Sequence, residues 1–209
     1  MKKLISSNFG LFFHTVYSIT FILLLIFISL NYKGYSMISF WISDLGSQSS
    51  PYCRIFNLSL FVFGLSNIFL IRYLNNIFEN AFFLKLTKIF ISLLCIGSIG
   101  AGIFPNDKYK TIHENFGSIL FFGVWGAAFT FLHPIFISKI IRKSISILNI
   151  TTMIFIIPFT ISKINEDNSE MFLVRVKGFW EWSILFLGVS FSLVITSFIW
   201  KKLYLERKD

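Results

Sequence analysis

The chain has 209 residues, of which 55% are hydrophobic, 19% aromatic and only 14% charged. A soluble domain carries about a quarter of its residues as charged side chains, so this composition excludes a water-exposed globule and points to a surface that faces lipid. The net charge of +9 does not indicate nucleic acid, because the basic residues gather at the ends of apolar runs rather than on one patch.

Apolar runs of about 20 residues match a helix crossing roughly 30 Å of hydrocarbon. Such runs cover residues 9–30, 51–73, 84–104, 112–136, 145–163 and 178–200. Backbone groups find no water in a bilayer core, so spanning segments are helices or a closed barrel. The runs lack the period-two alternation of barrel strands. The expected fold is therefore all-α: an integral membrane bundle of six transmembrane helices, with residues 1–209 as a single domain. The first run, behind MKKLISSNFGLFF, is longer than a signal core and has no small-x-small cleavage pattern, so it reads as a retained span.

Between the first two spans, SMISFWISDL (residues 36–45) is amphipathic enough to lie in the interface and to hold Asp44 over the bundle mouth. The alternative for Asp44 is a local turn, where its carboxylate bonds the backbone. Ser50-Pro51 suits the start of the second span. The third ends in GSIGAGIFPND, with Pro105 as its stop. Gly97-xxx-Ala101, Ser98-xxx-Gly102 and Gly123-xxx-Ala127 allow close backbone approach, and predict a tight hairpin of spans three and four. Thr111 to Glu114 fits a capping box before the fourth span. His14 and His133 fall toward the other end, where they either face each other or make structural polar contacts. His133-Pro134 also marks a bend.

With the N-terminus inside, Lys2, Lys3, Arg72, Lys85, Lys88, Lys139, Arg142, Lys143, Lys201, Lys202, Arg207 and Lys208 share the inner face, against only Glu79, Glu206 and Asp209. The other face balances its charges. The positive-inside rule then predicts cytoplasmic N- and C-termini in a cell-membrane protein. Trp41, Trp180 and Trp182 fall at the outer interface and Trp200 at the inner one.

That topology gathers Ser43, Asp44, Arg54, Asn57, Asp107, His113 and Glu181 on the outer face as candidate ligand-binding residues. His113, near a helix start, is expected neutral and able to accept a proton; its alternative is a structural hydrogen bond. Glu181 is either a site acid or a carboxylate suited to the helix dipole. Phosphate-loop, dinucleotide-binding, metalloprotease and nucleophile-elbow motifs are absent, and no cofactor or metal is implied. Cys53 and Cys95 do not make a disulfide framework. No span centre carries a charge, which disfavours a proton-coupled pump.

ISDLG, the following F-N-x-x-L and the later GIFPND-x5-H resemble the domain-of-unknown-function 998 family of prokaryotic multi-pass membrane proteins. The pattern is more distantly similar to the eukaryotic Frag1/DRAM/Sfk1 group, six-span proteins associated with lipid remodelling and membrane lipid organisation. The resemblance implies that Ser43, Asp44, Gly46 and His113 are signature positions, with Glu181 as the acid near the last span. The basic residue expected beside that acid is replaced, since the chain reads WEW. Three readings follow. The first is a lipid-headgroup-binding or accessory module, with membrane lipids or another membrane protein as partner and no nucleic acid. The second is an enzyme acting on a lipid or lipid-linked substrate, with His113 and Asp44 as acid–base pair, or Asp44 and Asp107 holding a metal. The third is a small-molecule transporter using Asn67, Asn149, Thr151 and Thr152.

Overall fold

The computed structural model describes residues 8–137 and 143–206. Six long helices account for most of it: α1 Phe9–Asn31, α2 Cys53–Ile71, α3 Ala81–Ile103, α4 Lys110–Ile137, α5 Lys143–Ile164 and α6 Lys177–Leu205. All six are long and apolar enough to cross a membrane, so the expected all-α bundle is present. Of the basic residues that set the predicted orientation, Lys2, Lys3, Lys139, Arg142, Arg207 and Lys208 lie outside the described residues.

The helix ends follow local chemistry, with two departures from expectation. Asn80 caps α3, its side-chain oxygen accepting from the amides of Phe82 (2.9 Å) and Phe83 (3.3 Å). Phe104 ends α3 in extended conformation just before Pro105, as expected. Ser50, however, does not cap α2. Its hydroxyl accepts from the Tyr52 amide (3.2 Å) within a turn, and the helix begins at Cys53. The Thr111–Glu114 box does not form either, because α4 already starts at Lys110. Thr111 therefore sits inside the first turn, and Glu114 turns away to an ion pair described below.

Each helix packs on its neighbours in chain order, and α6 returns to α1. The six helices thus close a ring around a central space. The tightest seam joins α3 to α4, where glycines remove the side chains that would hold the backbones apart. A side chain at Gly97 would strike the Leu120 and Phe116 backbone, and one at Gly123 the Leu94 and Phe90 backbone. On the other side of α3, Ser98 donates to the Leu60 carbonyl of α2 (2.8 Å). The predicted hairpin is present in this form.

One polar clamp crosses the ring near the termini. His14, fully buried on α1, bonds Ser66 of α2 (Nδ1, 3.4 Å) and Ser192 of α6 (Nε2, 2.9 Å). Ser66 gives its own proton to the Phe63 carbonyl (2.8 Å). His14 Nδ1 therefore carries the ring proton, and Nε2 accepts from Ser192. His133 lies instead against the Phe83 ring, with centroids 4.1 Å apart. The two histidines do not pair.

Gly97→Leu and Gly123→Leu should each lower the thermal midpoint in detergent, by an overpacking cost of about 1–3 kcal/mol. Gly117→Ala should not, since a methyl there meets nothing within 4 Å. Alkylation of the buried Cys95 thiol in a Cys53→Ser background reports the transition, both cysteines being free. Equal midpoints for all three variants would contradict the seam.

Candidate functional site

The α1–α2 connection, residues 32–52, folds back over one end of the ring. Gly34 turns the chain with φ +84°. Trp41, Ile42 and Leu45 are buried, while Ile38 and Phe40 stay exposed. The segment expected to lie flat in the interface thus sinks its apolar face into the bundle. The Phe179 amide at the start of α6 donates to the Ile38 carbonyl (3.1 Å). Trp182 Nε1 donates to Tyr35 Oη (3.0 Å), whose hydroxyl donates on to the Trp41 carbonyl (3.2 Å). Gly178 lies directly under the Phe40 and Met37 carbonyls, leaving no room for a side chain. Asn57 on α2 donates to the Gly46 carbonyl (3.0 Å), and the Gln48 amide donates to Asp107 before α4 (2.5 Å).

Residues Ile42–Gly46 form a 3-10 turn whose first amides would otherwise be buried without partners. Asp44 Oδ2 accepts from the Trp41 amide (2.9 Å), and Glu181 Oε2 from the Ile42 amide (2.5 Å). Asp44 therefore adopts the turn geometry that was its alternative reading. Burial pushes its carboxyl above the ordinary value, partly offset by the Trp41 amide and by Lys177 and Lys163.

Beside this turn, Glu166 in the α5–α6 connection is the centre of a charged cluster. Its Oε2 accepts from Lys163 (2.8 Å), and its Oε1 from Trp41 Nε1 (2.6 Å) and Lys177 (3.4 Å). Lys163 also pairs with Glu114 Oε1 (3.1 Å). Both ammonium groups stand 5.1 Å from the Trp41 ring centroid, within cation–π range. Burial works to raise the Glu166 carboxyl. The Lys163 and Trp41 bonds and both lysine charges outweigh it, holding the group near 2.

Under the turn lie two adjoining spaces. A polar recess of about 80 Å³ is walled by Trp41, Asn106, Glu114, Ser118 and Lys163, among others. An apolar cavity of about 150 Å³ runs down the ring and takes lining residues from all six helices. Ser43, His113, Gly117, Phe121 and Glu181 wall both spaces. His113 Nδ1 donates to the Phe104 carbonyl at the end of α3 (2.8 Å), which leaves Nε2 as the acceptor of the neutral ring.

Of the seven residues singled out from sequence, Ser43, His113 and Glu181 thus come together at the junction of recess and cavity. Asp44, Asn57 and Asp107 stand nearby, each with its side chain on a backbone group of the connection or its own turn. Arg54 is exposed on α2, with no hydrogen bond or ion pair among the described residues. Glu114, Lys163, Glu166 and Lys177 were not singled out as site residues. The signal for two of them was the Lys163–Glu166 spacing of three at the end of a span. Among the described residues, no three His, Cys, Asp or Glu side chains converge to hold a metal ion.

A closed ring of six spanning helices, sealed at one end by a folded connection, defines a polytopic helical membrane protein. The chain belongs to the family described as Protein of unknown function (DUF998), whose model matches residues 15–197, from α1 into α6. Neither curated proteins nor solved structures give a match.

The Glu166 shift sets a pH dependence. A carboxyl whose value falls from 4.5 to about 2 on folding stabilises the fold above 4.5 and loses that contribution as pH drops toward 2. Asp44 has the opposite sign, since its raised value favours the protonated folded state and its contribution weakens as pH rises past 3.8. Proteolysis of the 32–52 connection in detergent should accelerate across the acid range in the parent protein. Glu166→Gln should be cut faster at neutral pH and show a flatter acid limb. Parent-like profiles would remove Glu166 as the latch.

Proposed function

We propose that this protein is a non-enzymatic cell-membrane module that holds a membrane lipid, with the headgroup in the polar recess and part of one chain in the apolar cavity. The observation that carries this reading is the continuity of the two spaces, which share Ser43, His113 and Glu181 at their junction. A cavity of about 150 Å³ is the size that holds a benzene-sized guest and stays dry when lined by apolar side chains. It suits a segment of an acyl chain rather than a whole lipid. The recess reaches exposed Ser118 between α4 and α5, a side from which a bilayer lipid can enter. The positive-inside rule turns this end away from the cytoplasm.

The geometry gives catalysis less support. His113 Nδ1 and the Asp44 carboxylate are each committed to a backbone group, 2.8 Å from the Phe104 carbonyl and 2.9 Å from the Trp41 amide. No hydrogen bond joins them as an acid–base pair. Transport has less support too: Asn67 and Thr152 line the cavity, but Asn67, Thr152 and Asn149 donate to the carbonyls of Phe63 (2.8 Å), Leu148 (2.9 Å) and Ala128 (2.8 Å).

Gly188→Trp tests the reading directly. Gly188 lines the cavity, and a Cβ there meets only Val124, at 3.8 Å, so the indole ring has room to enter the cavity. Native mass spectrometry of the parent, released gently from detergent, should show a defined lipid mass. Gly188→Trp should lose most of it while keeping its thermal midpoint, and His113→Ala should retain less than the parent. A lipid adduct equally abundant on all three would overturn the proposal.

A further inference from the structure

The hydrogen-bonding capacity left over in the recess is weighted toward acceptors, since its uncommitted donors, the Ser43 hydroxyl and the Asn106 side-chain amide, carry no charge. Lys163 is the only cation in its wall, and two carboxylates already occupy it: Glu166 at 2.8 Å and Glu114 at 3.1 Å. Acceptors, by contrast, are in surplus. Glu181 bonds the Ile42 amide through Oε2 alone, and Glu114 meets Lys163 through Oε1 alone, so each keeps its second oxygen unbonded among the described residues. His113 keeps Nε2 unbonded behind its Nδ1 contact. Asn106 Oδ1, on the same wall, is buried without any partner.

A ligand that fills the recess covers these acceptors, and an acceptor covered without a donor is costly, so the ligand must supply what they lack. A phosphate brings only more acceptors and meets no free cation, only the neutral Ser43 hydroxyl and Asn106 amide. From this imbalance we infer that the recess selects a lipid headgroup rich in N–H or O–H donors, an ammonium or a set of sugar hydroxyls, over headgroups that present only acceptors. Ammonium protons suit the free oxygen of Glu114, since hydrogen bonds to charged groups are the stronger ones. Sugar hydroxyls meet the same set, donating to the carboxylates and to His113 Nε2. This inference rests on the lipid-holding reading and narrows its ligand.

The test is a competition in detergent micelles read by native mass spectrometry, with four lipids of matched acyl chains. Phosphatidylethanolamine and monoglucosyl diacylglycerol carry donors, phosphatidylcholine carries none, and phosphatidic acid is dominated by its anionic phosphate. The parent should retain one or both donor lipids over phosphatidylcholine by about tenfold, the ratio expected when a buried charged acceptor gains its donor. Which of the two is retained identifies the source of the donors. Glu114→Gln and Asn106→Leu should each cut that ratio several-fold. Equal retention of phosphatidylcholine, or preference for phosphatidic acid, would overturn the donor inference and leave the lipid module standing. Retention of none of the four would remove the lipid module itself, and this inference with it.

Discussion

Two consecutive backbone amides, Trp41 and Ile42, are covered as the connection folds in, and two carboxylates meet them there. A buried amide left without an acceptor costs about 1–3 kcal/mol, so Asp44 and Glu181 together favour closure of the connection over the ring. One carboxylate is local and shapes the turn. The other comes from α6, at the far end of the sequence, and fixes where the turn sits. Asn57 repeats the device from α2 by donating to the Gly46 carbonyl. Backbone satisfaction from three directions thus turns a flexible-looking connection into the roof of a cavity.

The charged cluster adds position more than stability. Ion pairs of this partial exposure contribute little net free energy, and Lys163, Glu166 and Lys177 are each between a fifth and two-fifths exposed. Their value lies in geometry. Glu166 has one oxygen on Lys163 and the other on Trp41 and Lys177, so the α5–α6 connection and the roof share one fixed point. The same pairing leaves the recess without an unpaired positive charge, because its lysine is committed to the frame.

The six spans were legible because lipid imposes one rule on all of them: apolar length sufficient to cross and backbone bonds closed within the helix. The α3–α4 seam was legible for a similar reason, since small residues at intervals of four have few other uses in a span. The site was legible only in part. Ser43, His113 and Glu181 looked no different in sequence from Asp44, Asn57 and Asp107, all polar and all at one end. What separates them is that the first three wall both the recess and the cavity, a placement set by how the connection folds over the ring and not recorded in the chain's own pattern. Glu114 shows the competition openly. Its spacing from Thr111 suited a cap, but a lysine 49 residues away took it instead. The Trp41 side chain suited an interfacial belt, and became the ring on which two lysines converge.

The ring closes between neighbours in chain order, with the α1–α6 seam as the exception. During synthesis, the first five helices can therefore assemble as they enter the membrane, each against the one before. The roof cannot. Its acceptor Glu181, its partner Trp182 and the glycine beneath it all arrive with the last span. Until then the Ile42 amide has no partner and the cavity stands open along one side. A chain truncated before residue 177 would be an open crescent without an enclosed cavity, so the cavity exists only once α6 is in place.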